Sequence, residues 1–385
     1  MEKVKLGIIG YGVQGSTYAR FLIEDKIPNM ELGAICDIDE EKLLNAQTNH
    51  PGIPVFSDYI SLLDSTVVDA VVITVPHYLH PVIGIDALKR DVHVMCEKPA
   101  GVYTKQVKEL IEYSKIKPEI TFAIMFNQRS NPLYQKVKEI MDSGVMGGLR
   151  RTNWIITSWW RPQSYYNQGS WRATWGGEGG GVLVNQAPHQ LDLIQWLCKK
   201  PEKVYANLKF GFGRDIVVEN EVTALLDYGN GATGVFITCT HDVLGTDRLE
   251  ILCDNGKIVI EDSRRAVVKI LKESENVMNE KYTMGQAGNG FRDVFENGFY
   301  DETVYEFPSV WGEQHCNTFM NFAAHILNGT PLIANGEEGM NGVRLASAML
   351  LSGWLKKEVD YNFDDDLYIE ELNKRIKEEG KYPTI

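Results

Sequence analysis

Cysteine pairs at metal or redox spacing are missing from this chain. Its six cysteines (Cys36, Cys96, Cys198, Cys239, Cys253, Cys316) are scattered, with no C-x-x-C and no ladder of paired histidines. That pattern argues against a disulfide framework and a zinc site and fits a reducing cytoplasm, so no metal is expected. Basic residues are also in deficit: 39 Lys and Arg against 52 Asp and Glu leave a net charge of −13. Nucleic acids and anionic membranes select for basic patches, so neither is expected as a partner. No apolar run is long enough to span a bilayer, and MEKVKLGIIGYG enters a first strand with no hydrophobic leader or cleavage site. Internal repeats and low-complexity tracts are absent too. What remains is an ordinary globular composition over 385 residues, more than one core usually supports, so two domains are expected.

The first third alternates short apolar runs with amphipathic stretches. Strands are predicted at Lys5–Ile9, Glu31–Cys36, Val68–Val75, His93–Cys96 and Thr121–Met125, with helices at Gln14–Glu24, Glu40–Thr48, Pro81–Lys89 and Thr104–Lys115. Such alternation builds a doubly wound parallel sheet, a Rossmann domain here assigned to residues 1–126. One more amphipathic helix follows Asn131 and stops at Gly144. Beyond it the chain is β-rich, Asp254-Asn255-Gly256 is a hairpin signal, and two helical stretches, Gln314–Asn328 and Gly336–Leu355, close it. Residues 127–385 are therefore read as an α+β domain with a large, mostly antiparallel sheet, serving substrate binding and oligomerisation.

Gly10-x-Gly12-x-x-Gly15 sits inside LGIIGYGVQGSTYARFL, between a strand and a helix. The first glycine permits the tight turn, the second lets a pyrophosphate approach the backbone, and the third lets helix pack on strand. The loop of Gly10, Tyr11, Gly12, Val13, Gln14 and Gly15 then offers N–H groups at a helix N-terminus, where the macrodipole favours negative charge. Asp37 ends the next apolar run at the expected spacing of roughly 20 residues, where it can bind both ribose hydroxyls and repel a 2′-phosphate. A nicotinamide dinucleotide site follows, with NAD favoured over NADP.

Glu97-Lys98-Pro99 follows the fifth strand in VHVMCEKPAG. Ligands of open α/β sheets bind beyond the carboxyl ends of the strands, so Lys98 can reach the nicotinamide end. The glycine fingerprint, the Thr74-Val75-Pro76 loop, His80, Glu97-Lys98-Pro99, and Gly179-Gly180-Gly181 ahead of His189 and Asp192 together resemble the glucose–fructose oxidoreductase, inositol dehydrogenase and rhizopine-catabolism family (Gfo/Idh/MocA) over essentially the whole chain. The resemblance implies a two-domain NAD(P)-dependent oxidoreductase acting on a sugar or polyol, assembled as a homodimer or homotetramer. It implies Lys98 and His189 as catalytic residues and adds Thr74, Pro76, His80, Glu97 and Lys98 to the cofactor contacts. His80 is expected to pack along that loop and take no part in catalysis.

In GGGVLVNQAPHQLDLIQWL, Pro188 is tolerated only near the first turn of a helix. Asn185, His189, Asp192 and Trp196 then fall at i, i+4, i+7 and i+11, one helical face. A histidine with an ordinary pKa of about 6.5 can take the hydroxyl proton as hydride leaves carbon. Many family members carry aspartate where this chain has Asn185, and an amide cannot stabilise imidazolium by charge. Either Asp192 supplies that charge, or His189 depends less on it, or Lys98 itself takes the proton if burial lowers its pKa.

Five of the eight tryptophans (Trp154, Trp159, Trp160, Trp171, Trp175) crowd one stretch with Tyr165, Tyr166, Arg161 and Arg172. Aromatic faces suit the apolar C–H patches of sugar rings, so Tyr166, Trp171 and Arg172 join Lys98, Asn185, His189 and Asp192 as predicted substrate contacts. His315, read as opening the penultimate helix, completes the set. The leading expectation is oxidation of a secondary hydroxyl of a sugar, glycoside or polyol, which the resemblance extends to C3 of a glucoside. A redox-neutral enzyme recycling bound NAD and a non-catalytic dinucleotide sensor stand as alternatives, and the intact Lys98 and His189 argue against the sensor.

Overall fold

The computed structural model describes residues 3–282 and 298–385. Its first sheet contains β1 (Val4–Ile9), β2 (Met30–Cys36), β3 (Val55–Phe56), β4 (Ala70–Ile73), β5 (His93–Cys96) and β6 (Phe122–Ile124), all parallel, in the order β3-β2-β1-β4-β5-β6. β4 reads AVVI and is buried throughout, as strands covered by helices on both faces must be. The strand order reverses between β1 and β4, so a crevice opens beyond their carboxyl ends, where Gly10 and Thr74 lie. The predicted strands and helices of this region all form, within a few residues of the expected ends. The short β3 and the helix Tyr59–Asp64 are additional.

The second sheet has nine strands: β7 (Leu149–Ile156), β8 (Lys203–Phe210), β9 (Glu219–Asp227), β10 (Thr233–Cys239), β11 (Asp247–Cys253), β12 (Gly256–Glu261), β13 (Arg265–Leu271), β14 (Tyr300–Glu306) and β15 (Val359–Asp360). They run in the order β14-β13-β12-β11-β7-β10-β9-β8-β15 and are antiparallel except where β7 meets β10. Asp254-Asn255-Gly256 does close the β11–β12 hairpin, with Cys253 opposite Gly256. The next hairpin turns on Asp262 and Ser263, both left-handed at φ 54 and 53, the backbone of a primed turn built without glycine. Inward residues such as Val204, Ala206, Leu226 and Phe236 join the core with the helices Pro188–Leu197 and Gly339–Leu355. The opposite face leaves Tyr205, Leu225 and Ile155 exposed, with Val235 paired across from Leu225 and Ile237 from Ile155.

Two departures concern the C-terminal part. A third helix, Asp365–Glu379, follows the two predicted ones and buries Tyr368, Leu372 and Ile376 along one narrow stripe, capped by the Asp364 side chain. His315 therefore opens the third helix from the end, Glu313–Asn328. That helix packs on the first sheet, where Cys316, Phe319, Phe322 and Ala323 share a core with Leu6, Ile8, Tyr18 and Met95. Chain from the far end thus returns to the nucleotide crevice. No helix among the described residues is long and apolar enough to cross a membrane.

Candidate active site

The glycine loop is built as a cradle. Gly10 lies at φ 98, and a side chain there would press within 2.8 Å of the Thr74 carbonyl. A Cβ on Gly15 would run into the Gly10 carbonyl, whereas nothing stands near Gly12, the side a pyrophosphate would approach. Val13 opens the helix Val13–Ile23 and is exposed, and the first-turn N–H groups of a helix lack intrahelical partners, which suits an anionic pyrophosphate. Asp37, buried at the end of β2, accepts the Tyr11 N–H at 2.7 Å and the Asp39 N–H at 3.0 Å. A carboxylate held this way keeps lone pairs for ribose hydroxyls. The Thr74 hydroxyl donates to the Gly10 carbonyl at 2.6 Å and so ties the loop to β4. These residues fit a dinucleotide.

His80 packs along the Thr74–Pro76 loop as expected, but not as the predicted cofactor contact. Its ring is buried between the Val75 and Pro99 carbonyls, 2.8 and 2.7 Å from its two nitrogens. It braces the Thr74–Pro76 loop against the Lys98-Pro99 turn, whose peptide bond is cis, and has no free polar atom for a cofactor. Glu97 also works from beneath: its carboxylate accepts the Tyr18 hydroxyl and the Lys98 N–H.

Lys98 leaves the edge of β5 and donates from Nζ to the backbone carbonyl of Asn185 at 2.7 Å. Burial pushes its pKa down, and Glu97 and Glu178 oppose that shift. His189 sits in the first turn of Pro188–Leu197, edge-on to Phe126 with ring centroids 6.4 Å apart, and its buried Nδ1 has no hydrogen-bond partner. Burial, then Lys98 and His315, hold its imidazole well below the ordinary range, so it is neutral at pH 7. His315 reaches the same place from Glu313–Asn328, with Nε2 3.1 Å from the Asn127 amide nitrogen, and burial with Lys98 pushes its pKa down to about 4. One ammonium and two neutral imidazoles therefore converge beside the crevice, a donor and two potential proton acceptors.

Asp192 does not face this cluster. Both its oxygens are taken by the Arg129 guanidinium, at 2.8 and 2.6 Å, in a fully buried bidentate pair that also engages Glu338 at 2.8 Å. Burial raises its carboxyl to about 6 against the pull of Arg129. The expected substrate contact is a structural brace, and it cannot supply charge to His189. Asn185 lies outside the helix because Pro188 occupies its first position, and Trp196 packs away from the cleft beneath Arg129 and Lys138.

The aromatic stretch divides. Trp154 and Trp175 are core residues, and Tyr166 is buried with its hydroxyl 2.7 Å from Thr240 Oγ1, so the predicted Tyr166 contact is a packing residue. Its neighbour Tyr165 is only half-buried. Arg172 stacks 4.8 Å over Tyr165 and 4.6 Å over Trp171, and it donates to the Tyr165 hydroxyl at 3.0 Å. Tyr165 in turn meets the Gln186 amide at 3.3 Å and Asn185 Oδ1 at 3.5 Å. This wall of Trp171, Arg172 and Tyr165 stands next to Asn185 and Lys98. Sequence reasoning placed Tyr165 in the aromatic stretch without singling it out, and it missed Gln186, Asn127 and above all Glu178, a buried carboxylate directly ahead of the three glycines. It also did not foresee that Glu221, Cys239 and His241 lie within 4.8 Å of one another; there His241 Nε2 and Glu221 already satisfy each other at 2.7 Å.

Residues 4–124 match the family model described as an oxidoreductase family with an NAD-binding Rossmann fold, and residues 134–259 match the GFO/IDH/MocA C-terminal domain. The chain is similar to the myo-inositol 2-dehydrogenase of Thermotoga maritima, at 24% identity over 90% of this chain and 95% of that one. It is also similar to the levoglucosan dehydrogenase of Pseudarthrobacter phenanthrenivorans, at 23% identity over 94% and 98%. Among solved structures, levoglucosan dehydrogenase in complex with NADH and levoglucosan superposes with a TM-score of 0.79 at 19% identity, covering 94% of this chain and 100% of that one. The WlbA dehydrogenase from Bordetella pertussis, in complex with NADH and UDP-GlcNAcA, superposes at 0.75 with 22% identity over 94% and 100%. Those structural likenesses speak for the fold. The two family matches together span more than half of the chain, with the glycine loop and Lys98 inside the first and His189 inside the second. The protein belongs to the GFO/IDH/MocA family of NAD-binding oxidoreductases.

Proposed function

We propose that the protein oxidises a secondary hydroxyl of a sugar, glycoside or polyol with NAD, or runs the reverse reduction. The observation that carries this reading is the convergence of Lys98 and the unpartnered His189 ring beside the Gly10–Gly15 cradle. Bound NAD supplies the hydride acceptor. Gly10, Tyr11, Gly12, Val13, Gln14 and Gly15 would hold its pyrophosphate, Asp37 its adenosine ribose, and Thr74, Pro76, Glu97 and Lys98 would border the rest. The Lys98 ammonium donates to the reacting oxygen and stabilises it as alkoxide character develops, and His189, neutral at pH 7, accepts the hydroxyl proton. His315 and Asn185 hold neighbouring hydroxyls, while the Trp171–Arg172–Tyr165 wall receives the sugar ring and any group beyond it. A glycoside uses that wall more fully than a bare polyol does. The inositol and levoglucosan dehydrogenases among its relatives are consistent with the substrate class. In this reading residues 1–126 serve the nucleotide and 127–385 the substrate, and the six free thiols suit the cytoplasm.

The test is to present purified protein and NAD with inositols, glucose, methyl glucosides and disaccharides and to follow NADH and the product. Stoichiometric NADH release is expected, with kcat/KM favouring NAD over NADP by more than about tenfold, roughly 1.4 kcal/mol. Turnover with no NADH release would favour the recycling enzyme, and equal use of the two cofactors would remove Asp37 as the selector.

The open sheet face bears on assembly. An exposed apolar face of several hundred Å² is an aggregation liability unless a partner covers it, and two-fold symmetry closes it with a second copy. Light scattering at micromolar concentration should give a dimer or tetramer, and Leu225→Arg should shift it toward monomer. A wild-type monomer would sink this assignment.

A further inference from the structure

The buried carboxylate of Glu178 is not accounted for by the nucleotide cradle or by the hydride-transfer step. It is 3% exposed, and its Oε2 accepts the Ala173 N–H at 2.6 Å. Ala173 points that N–H from a left-handed backbone, φ 50, a conformation unfavourable for a residue with a side chain. Oε1 accepts the Asn185 side-chain amide, and the Arg172 guanidinium stands 3.8 Å from it. A carboxylate only accepts, so the NH₂ end of Asn185 must face Glu178 and its Oδ1 must turn the other way, toward Tyr165. The same residue's backbone carbonyl is held by Lys98. Asn185 is thus gripped at both ends by opposite charges.

We propose that Glu178 is the positioning residue of this site: its carboxylate locks the Asn185 amide with Oδ1 presented as an acceptor for a substrate hydroxyl, and it supplies the buried negative charge that balances the Lys98 ammonium. The proposal rests on the dehydrogenase reading above. Lys98 is faced by Glu97 and Glu178, by the Arg161 and Arg172 guanidiniums, and by His77, His80, His189 and His315. The two guanidiniums and any protonated imidazole push Lys98 toward the free amine, and only the two carboxylates oppose them. Glu97 acts from beneath the turn, already engaged by Tyr18 and the Lys98 N–H. Glu178 acts from the substrate side. When His189 takes the substrate proton it becomes a cation beside the Lys98 ammonium, and a fixed anion nearby lowers the cost of that state. Burial raises the Glu178 carboxyl, while the Ala173 N–H, Asn185 and the two cations favour its ionised form.

The decisive experiment measures Lys98 directly and needs no substrate. Competitive acetylation of the NAD-bound protein across pH, read by mass spectrometry on the Lys98 peptide, gives the midpoint of its titration. Glu178→Gln, which keeps the shape, should lower that midpoint by about one pH unit, a tenfold change in free amine at fixed pH. Asn185→Asp in the Glu178→Gln background returns a carboxylate to the same corner and should restore the midpoint. With a turned-over substrate in hand, the high-pH limb of kcat should move in parallel. An unchanged midpoint in a Glu178→Gln protein of wild-type thermal stability would overturn the proposal, as would failure of the double variant to restore it. Because the midpoint is read without substrate, a fruitless substrate screen would count against the dehydrogenase reading alone.

Discussion

Lys98→Ala and His189→Ala are each expected to lower kcat by about 100-fold or more, the loss typical of a group that moves a proton or stabilises developing charge in the transition state. The two should separate in their pH dependence. His189 must be neutral to accept the hydroxyl proton, and burial, with the nearby Lys98, holds its pKa well below 6.5. Oxidation should therefore be fully supported at pH 7 and fall only as pH drops below the ordinary histidine range of about 6.5. Lys98 must be charged to stabilise the alkoxide, and burial lowers its pKa from the ordinary lysine value near 10.4. Activity should accordingly decline on the alkaline side before that value is reached. In His189→Ala the acid limb should disappear while NAD affinity, measured by nucleotide titration, stays close to wild type. Lys98→Arg keeps a charge but not the compact ammonium that reaches the Asn185 carbonyl, so it should remain well below wild type. Near-normal turnover by either alanine variant on the true substrate would remove that residue from the chemistry.

What could be read from the chain beforehand was local. The glycine loop, Asp37 and Lys98 are each defined by neighbours within a strand–turn–helix unit, so their place at the nucleotide crevice follows from spacing, while the catalytic role of Lys98 comes from the family resemblance. The errors share a different cause, contacts between distant positions. Asp192 has the right period to join His189, but Arg129 from the preceding region takes both its oxygens. Tyr166 and Tyr165 are equivalent by composition, and only the position of Thr240 on the second sheet decides which is buried. His80 is closed off by two backbone carbonyls that no side-chain pattern announces. The helix Asp365–Glu379 gives a weak periodic signal because its apolar stripe is three residues, Tyr368, Leu372 and Ile376, among many charges. Helical periodicity counted back from His189 puts Asn185 on the same face, but Pro188, which fixes the helix start, lies between them. Glu178 could have been suspected. The glycines after it mark a close backbone approach, since a Cβ on Gly179 or Gly181 would strike Val102 or the Glu219 carbonyl, and Glu178 is buried beside them.

The aromatic stretch should yield two separate phenotypes, and its largest effect is on stability. Trp175 is buried, edge-on to Trp354 at 5.4 Å and to Phe210 at 6.1 Å, and its carbonyl accepts the Tyr78 hydroxyl at 2.7 Å. Truncating a tryptophan in such a place removes its packing and leaves a cavity, at a cost of about 3–5 kcal/mol. Trp175→Ala should therefore lower Tm by many degrees, and any protein that still folds should bind NAD normally. Tyr166→Phe removes only the hydroxyl that meets Thr240 and should cost about 1 kcal/mol, with KM unchanged. Arg172 behaves in the opposite way. It is partly exposed and stacked between Trp171 and Tyr165, so Arg172→Ala loses little core packing but frees both rings and the Tyr165 hydroxyl. Its Tm should stay within a few degrees of wild type while kcat/KM falls by about tenfold or more, the scale of one lost charge-assisted hydrogen bond. Thermal melts and steady-state kinetics on the three variants separate the roles. If Arg172→Ala acts only through Tm and leaves kcat/KM intact, the wall is architecture and the sugar ring lies elsewhere in the cleft.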